Sequence, residues 1–333
     1  MILRGDVMKF FKKIKCYLQT VKQTAAETGL SRFQKIKVCF DIIYCRIRFH
    51  ATCREYRIYQ YHKYKDNYRK NFILFYHLRQ KYANSIDSDR SKYRRYQAIQ
   101  IGYARDILLL PECGEERFLK FFHKHRKIVL KPDIGNGGEE VKIIEYSTDE
   151  AAQTLFHSIE KDTVCEEFLQ QHSLLNALNP HCLNTIRIVS LYTGNSFDIL
   201  CATLKTNIRP DVPTDNFHSG GIGASIHVPT GVVNSFARGY NHQTYLNHPI
   251  TGYQIFGTVI PFWEEAKALV EDAHKKIPET PLVGWDIAIA PYGPEIIEPN
   301  FAPGPFLMQL MDLVPKGEKL IQYMKWQKKH KVK

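Results

Sequence analysis

The sequence predicts an α+β protein preceded by a basic, helical N-terminal region, and three observations predict it. Charge is unevenly divided: residues 1–110 hold 24 Lys and Arg against 8 Asp and Glu, whereas residues 111–333 hold 22 against 26. Proline is absent before Pro111, and glycine occurs there only at Gly5, Gly29 and Gly102. Beyond Pro111 both become frequent, and short β-branched runs lie between them, the texture of strands joined by turns.

In the first region Phe10, Ile14, Leu18 and Val21 recur at helical spacing. The region also holds 12 of the 19 tyrosines. From Pro111 onward, strands are predicted at Lys127–Lys131, Val141–Tyr146, Thr163–Glu167, Thr185–Tyr192, Phe197–Lys205, Gly284–Ala290 and Glu295–Glu298. Helices are predicted at Asp149–Lys161 and Pro261–Lys276, with Pro261 placed in the first turn of the second. The basic stretch 316–333 reads as a helix or tail. Four parts follow: 1–110, helical and basic; 111–180 and 181–315, two α+β lobes; and 316–333.

Composition excludes several classes. No run approaches the roughly 20 apolar residues of a membrane span. The N-terminus has no uninterrupted apolar core and no small-residue cleavage site, so no signal peptide is expected. Eight cysteines without such a signal suit a reducing, cytoplasmic setting. Cys39, Cys45, His50 and Cys53 cluster in sequence, but their spacing fits no zinc motif, and buried thiols are the expectation.

Four segments carry candidate chemistry. Lys131 ends a strand and is followed by a turn containing Gly135, Gly137 and Gly138, whose backbone N–H groups would close over phosphate oxygens; an ordinary hairpin with a lysine at its base is the alternative. Asp286, Glu298 and Asn300 lie on two strands joined by a tight Pro-Tyr-Gly-Pro turn. Asp286 and Glu298 would neighbour each other across the ladder, and Glu298 and Asn300, two apart, would face one side. Two carboxylates and an amide make a hard oxygen site suited to Mg2+ that also holds phosphates, against the alternative of solvated surface acids. Arg187 and Lys205, on neighbouring strands, would balance those acids and grip anionic oxygens, or form one structural ion pair. Finally, the apolar strand ending in Glu166, Glu167, Phe168 and Leu169 offers backbone groups to a planar base.

Taken in order, the phrases KPDIGNGGEEV, CEEFLQQHSLLNALNP, NTIRIVSL, DNFHSGGIGASI, NHPITG, IPFWEEA and GWDIAIAPYGPEIIEPN resemble the ATP-grasp superfamily over about Pro111 to Pro305. Within it the sequence resembles the sugar-transfer-associated ATP-grasp family. The resemblance implies two α+β lobes clamping ATP. It implies that Lys131 touches the ATP phosphates and that Gly135, Gly137 and Gly138 form the flap over them. It implies that Glu166, Glu167, Phe168 and Leu169 form the hinge that reads adenine, and that Asp286, Glu298 and Asn300 hold Mg2+. Arg187 and Lys205 match basic positions near the γ-phosphate, and Asn216 with Gly220 and Gly221 matches an Asn-x-x-x-Gly-Gly loop of glutamate-ligase-like members. Two departures stand out. Gln170, Gln171, His172 and Ser173 occupy the place of the acid that often holds the ribose, and Lys92 is a candidate for an upstream phosphate-binding lysine.

The implied function is an Mg-ATP-dependent ligase that joins a carboxylate to an amine or another nucleophile through an acyl-phosphate, in polysaccharide or cell-surface glycan synthesis. The alternatives are a kinase on the same fold, or a nucleotide-binding protein whose basic region docks on an anionic partner. For residues 1–110 the expected partners are an acidic or lipid-linked glycan or the anionic inner face of the membrane; nucleic acid is disfavoured because no nucleic-acid motif appears. The interleaved Arg54, Tyr56, Arg57, Tyr59, Tyr61, Tyr64, Tyr68 and Arg69 would stack on bases or, more simply, cover a helical bundle.

Overall fold

Alternation along β5 (Thr185–Tyr192) and β6 (Phe197–Asn207) sends Ile186, Ile188, Ala202 and Leu204 to one face and Thr185, Arg187, Thr203 and Lys205 to the other. The apolar face packs on α7 (Trp263–Lys275), through Ala266, Val270 and Ala273. The polar face is also covered, so β5 is buried almost throughout. The computed structural model describes residues 15–78, 91–99, 105–135, 140–239, 243–301 and 303–329.

Two compact units divide the chain. One contains residues 82–303; the other joins 1–81 to 304–333. In the first, a four-stranded antiparallel sheet runs β1-β4-β2-β3: β1 (Ile107–Leu110), β2 (Lys127–Pro132), β3 (Lys142–Glu145) and β4 (Thr163–Glu167). Its apolar face, with Leu108, Ile128, Leu130 and Cys165, packs on α4 (Glu115–His125) and α5 (Asp149–His157) through Phe118, Phe122 and Phe156. The larger antiparallel sheet runs β10-β9-β7-β6-β5-β11-β12, with β8 (Val232–Val233) beside β7 (Gly221–His227). Its remaining strands are β9 (Ala237–Arg238), β10 (Thr244–Tyr245), β11 (Leu282–Ala290) and β12 (Gly293–Asn300). A short helix, α3 (Lys92–Ala98), and another, α6 (Ser173–Leu178), complete the unit.

Several expectations shift. β1 and β7 were not expected as strands, and β1 lies inside the region assigned to helices up to 110. Pro261 stands outside its helix, because Phe262 in the left-handed region is the N-cap residue. The helix from Asp149 ends at His157, four residues early, with Ser158 as its C-cap.

In the other unit, α1 (Arg32–Phe49) starts at a capping box: Ser31 accepts from the Gln34 N–H, and Gln34 accepts from the Ser31 N–H. A second box opens α2 (Cys53–Ile58), where the buried Glu55 accepts from the Thr52 N–H and from the Phe75 N–H. Tyr56, Tyr59 and Tyr61 are core residues, with Tyr59 and Tyr61 against Phe72 and Tyr56 against Tyr61. Arg69 holds both Asp41 oxygens at 2.8 Å, and the Tyr56 hydroxyl donates to the same carboxylate at 2.5 Å. The interleaved tyrosines are thus largely bundle core. The C-terminal segment, with α8 (Pro305–Gln309) and α9 (Glu318–Lys329), belongs to this unit. Among the described residues, no helix is long and apolar enough to cross a membrane.

Candidate functional site

The register of the large sheet aligns Arg187 of β5, Asp286 of β11 and Glu298 of β12 in one row. Cross-strand partners share a face, so all three project from the polar side. Asn300, two residues past Glu298, and Lys205, opposite Thr185, join them. Sequence reasoning placed these five residues together, and the strands bring them together.

Charge pairing within the row is dense. Arg187 grips Asp286 with two bonds, at 2.7 and 2.8 Å. Lys205 lies 3.1 Å from Asp286 and 3.1 Å from Asp215, bridging two acids. Asp215 in turn accepts from the Thr185 N–H at 2.8 Å. Burial alone would raise the Asp286 pKa, but Arg187 and Lys205 outweigh it and hold the carboxyl well below the usual range. The two acids likewise keep the buried Lys205 charged, against a desolvation that would lower its pKa. Gly284 makes room for this pairing, since a Cβ there would stand 2.7 Å from the Pro303 Cβ and 3.2 Å from the Arg187 Cδ.

Glu298 differs. Among the described residues its half-buried carboxylate has no hydrogen-bond or ion-pair partner. The Asn300 amide donates to Asp286 at 3.4 Å and keeps its carbonyl oxygen. A partnerless carboxylate beside a second carboxylate and an amide oxygen is a hard donor set that fits Mg2+.

The small sheet contributes a second polar face. Lys131 on β2 and Glu166 on β4 lie diagonally across the ladder, with Nζ 2.5 Å from Oε1. The buried Arg105 approaches the same Glu166 oxygen at 3.5 Å and donates to the Ile297 carbonyl at 3.1 Å. Burial raises the Glu166 pKa, while Arg105 and Lys131 more than reverse it, so the carboxyl stays ionised.

Lys92 opens α3, whose first turn is held by Asp133 accepting from the Tyr93 N–H at 2.8 Å. Its Nζ donates to the Pro132 carbonyl at 2.6 Å and lies 3.8 Å from where a Gly135 Cβ would stand. Burial lowers the Lys92 pKa; Glu298 opposes this and Lys131 adds to it. Lys92 therefore sits at the base of the glycine turn, within electrostatic reach of both sheets' charged faces. Gly137 and Gly138 of that turn lie outside the described residues.

Two further predicted elements are defined by their backbone. Past β4, the Glu167 and Phe168 N–H groups bond to the Asp106 and Lys127 carbonyls, whereas the Leu169 N–H donates to nothing among the described residues. Leu169 packs on Ala288 and Ala290 of β11, so this segment rests on the large sheet. In the other element, the Gly221 N–H closes on the Asn216 carbonyl at 3.0 Å. A Cβ at Gly221 would stand 2.5 Å from that oxygen, and Gly220 has φ +96°, so the loop requires both glycines.

Sequence reasoning missed Asp215 and Arg105. Asp215 opens the phrase Asp-Asn-Phe-His-Ser-Gly-Gly and was legible as an acid beside a Gly-rich loop. Nothing in the local sequence marks Arg105, because its partner Glu166 is 61 residues away.

The family described as sugar-transfer associated ATP-grasp matches residues 114–316. Among solved structures, the chain is similar to the ATP-grasp ligase PsnB complexed with a minimal precursor: 13% identity, 72% of this chain and 62% of that one, TM-score 0.43. It is also similar to the D-alanine–D-alanine ligases of Bacillus anthracis (14% identity, 72% and 65% coverage, TM-score 0.41) and Helicobacter pylori (12%, 71% and 57%, 0.39). The chain thus spans about three-fifths of the length of these proteins. No protein of curated function matches it. With the match covering most of the chain and taking in Lys131, Arg187, Lys205, Asp286, Glu298 and Asn300, this protein belongs to the sugar-transfer associated ATP-grasp family.

Proposed function

We propose that the protein is an ATP-dependent ligase that activates a carboxylate as an acyl-phosphate and passes it to an amine or related nucleophile, in the synthesis of a surface glycan. The observation that carries this reading is the pairing of Glu298, a carboxylate without a partner, with Asp286, whose charge Arg187 and Lys205 already engage. Asp286, Glu298 and Asn300 would hold Mg2+, which when bound neutralises charge between phosphate oxygens. Lys131 would leave Glu166 for a phosphate oxygen, with Lys92 beside it at the glycine turn. The free Leu169 N–H would meet the edge of adenine. A substrate carboxylate attacks the γ-phosphorus and breaks its bond to the β–γ bridging oxygen, releasing ADP. The nucleophile then attacks the acyl carbon and expels inorganic phosphate, with its proton passing to solvent. Arg187 and Lys205 offset the charge that develops, so positioning and electrostatics suffice.

The test is ADP release against panels of amino acids, uronic acids and peptides, with mass spectrometry of the products. Glu298→Gln is expected to lower ADP release about a hundredfold or more. Near-normal turnover by that variant would remove the metal assignment. A phosphoester product in place of an amide would replace the ligase by a kinase.

A further inference from the structure

Helix α1 carries two apolar faces, where a helix at a protein surface ordinarily carries one. Val38, Ile42 and Cys45 form the buried face. About half a turn away, at 100° per residue, lie Phe33, Ile36, Phe40, Tyr44 and Ile47. Their exposures are 69%, 55%, 70%, 43% and 75%. These residues recur every three or four positions, so they form one continuous stripe from Phe33 to Ile47, about 21 Å of the 18-residue helix. Single exposed hydrophobics are commonplace; a stripe of five is a binding surface.

The borders of the stripe identify its partner. At the same angular spacing Lys37 and Arg48 line one edge, and Arg32 and Arg46 the other; all four are exposed. The helix has one acid, Asp41, and it is turned away from the stripe to meet Arg69 and Tyr56. The helix itself therefore gives its outward face an apolar centre, cationic edges and no acid; the one carboxylate that meets the stripe is Asp66, which accepts from the Tyr44 hydroxyl at its margin.

We propose that α1 is an interfacial helix that lies on an anionic phospholipid surface, with Phe33, Ile36, Phe40 and Ile47 entering the acyl boundary and the four basic side chains meeting headgroup phosphates. Charge complementarity selects this partner. A second copy docked about a two-fold axis would set like-charged borders against each other. Residues 1–14 carry Arg4, Lys9, Lys12, Lys13 against one acid, Asp6, and would meet the same repulsion. An acidic glycan matches the edges and leaves the apolar centre in water. This inference stands apart from the ligase reading, because none of these residues belongs to the candidate site.

The test is flotation of the full-length protein with vesicles of phosphatidylcholine alone or mixed with phosphatidylglycerol, at low and high salt. The protein is expected to float with the mixed vesicles at low salt, with binding that falls as salt rises. Phe40→Ser/Ile47→Ser is expected to weaken binding about tenfold or more, and Arg46→Gln/Arg48→Gln to weaken it and flatten the salt dependence. Both pairs are exposed, so circular dichroism should match the parent. Phe40→Trp adds a reporter whose emission, relative to the parent, should shift to the blue on the mixed vesicles and be quenched by brominated lipid. Unchanged flotation of the Ser variant, a reporter that brominated lipid does not reach, or a reporter shielded from iodide before vesicles are added would each overturn the proposal. Binding of an acidic polysaccharide without vesicle binding would overturn it in favour of the glycan.

Discussion

Asp286 and Glu298 are register partners with opposite circumstances, and each should answer differently to loss of its charge. Asp286→Asn leaves Arg187 and Lys205 buried with Asp215 alone, at a cost of roughly 3–5 kcal/mol in urea unfolding. Glu298→Gln removes a carboxylate with no partner, so its unfolding midpoint should stay at or slightly above that of the parent, even as activity is lost. Equal destabilisation by both would mean that Glu298 is a structural acid. The nearness of these two residues was legible, because a hairpin with a tight turn fixes which side chains face each other. Arg187 was legible as their counter-charge too, although it lies 99 residues from Asp286; the second acid on Lys205, Asp215, was not, because only the fold brings its loop against Thr185.

A second residue, outside the site, governs acid stability. His274 is fully buried: its Nε2 donates to the Thr280 carbonyl at 2.8 Å, its Nδ1 accepts from Ser190 at 2.7 Å, and Ser190 accepts from the Trp285 indole at 2.8 Å. The chain of bonds needs neutral imidazole, and burial lowers the pKa to about 4. The folded value lies below the unfolded one, so the unfolded state takes up the proton first as pH falls. Stability is complete above about pH 6.5 and is lost between there and about pH 4, by an amount on the order of 3 kcal/mol. Thermal melts at pH 7 and pH 5 should show the decline, and His274→Gln should lessen the difference.

At the scale of elements, what the sequence disclosed depended on how each strand is buried. β5, β6 and β11 were legible as largely apolar runs carrying β-branched residues, the mark of strands covered on both faces. β7 reads Gly-Ile-Gly-Ala-Ser-Ile-His, whose glycines suggest a turn; the first is there because Gly221 must close on Asn216. β1 is four residues at the edge of the small sheet, too short to declare a period. Gly221→Ala would force the start of β7 away from the loop, with a loss of roughly 1–3 kcal/mol in chemical denaturation. An unchanged midpoint would show that the loop has slack that the 2.5 Å approach does not suggest.

For the molecule as a whole, charge marked a division, and chain contacts draw it elsewhere. The basic front is completed by the last thirty residues, joined by the buried Gln309. Its amide accepts from the Ile73 N–H at 2.8 Å and from the Lys316 N–H at 3.1 Å, and donates to the Ile73 carbonyl at 2.9 Å. No sequence pattern pairs positions 236 apart, so this closure was not legible. Gln309→Ala would strand the buried Ile73 N–H and leave the Ile73 carbonyl only the Tyr59 hydroxyl at 3.4 Å, costing roughly 1–3 kcal/mol. Limited proteolysis should then cut within residues 15–78 sooner than within 105–301; uniform resistance would show that the front holds without its clasp.

That clasp also orders events during synthesis. Domains generally fold as units as the chain emerges, at roughly 5–20 residues per second. Residues 82–303 can close on themselves once they are out, but Tyr59 and Ile73 must wait for Gln309. The segment made first is finished last, after the lobes that carry Lys131 and Asp286 have formed. Through that interval the basic helices are bound by local contacts alone, which makes them the part of the nascent chain most open to chaperones and proteases.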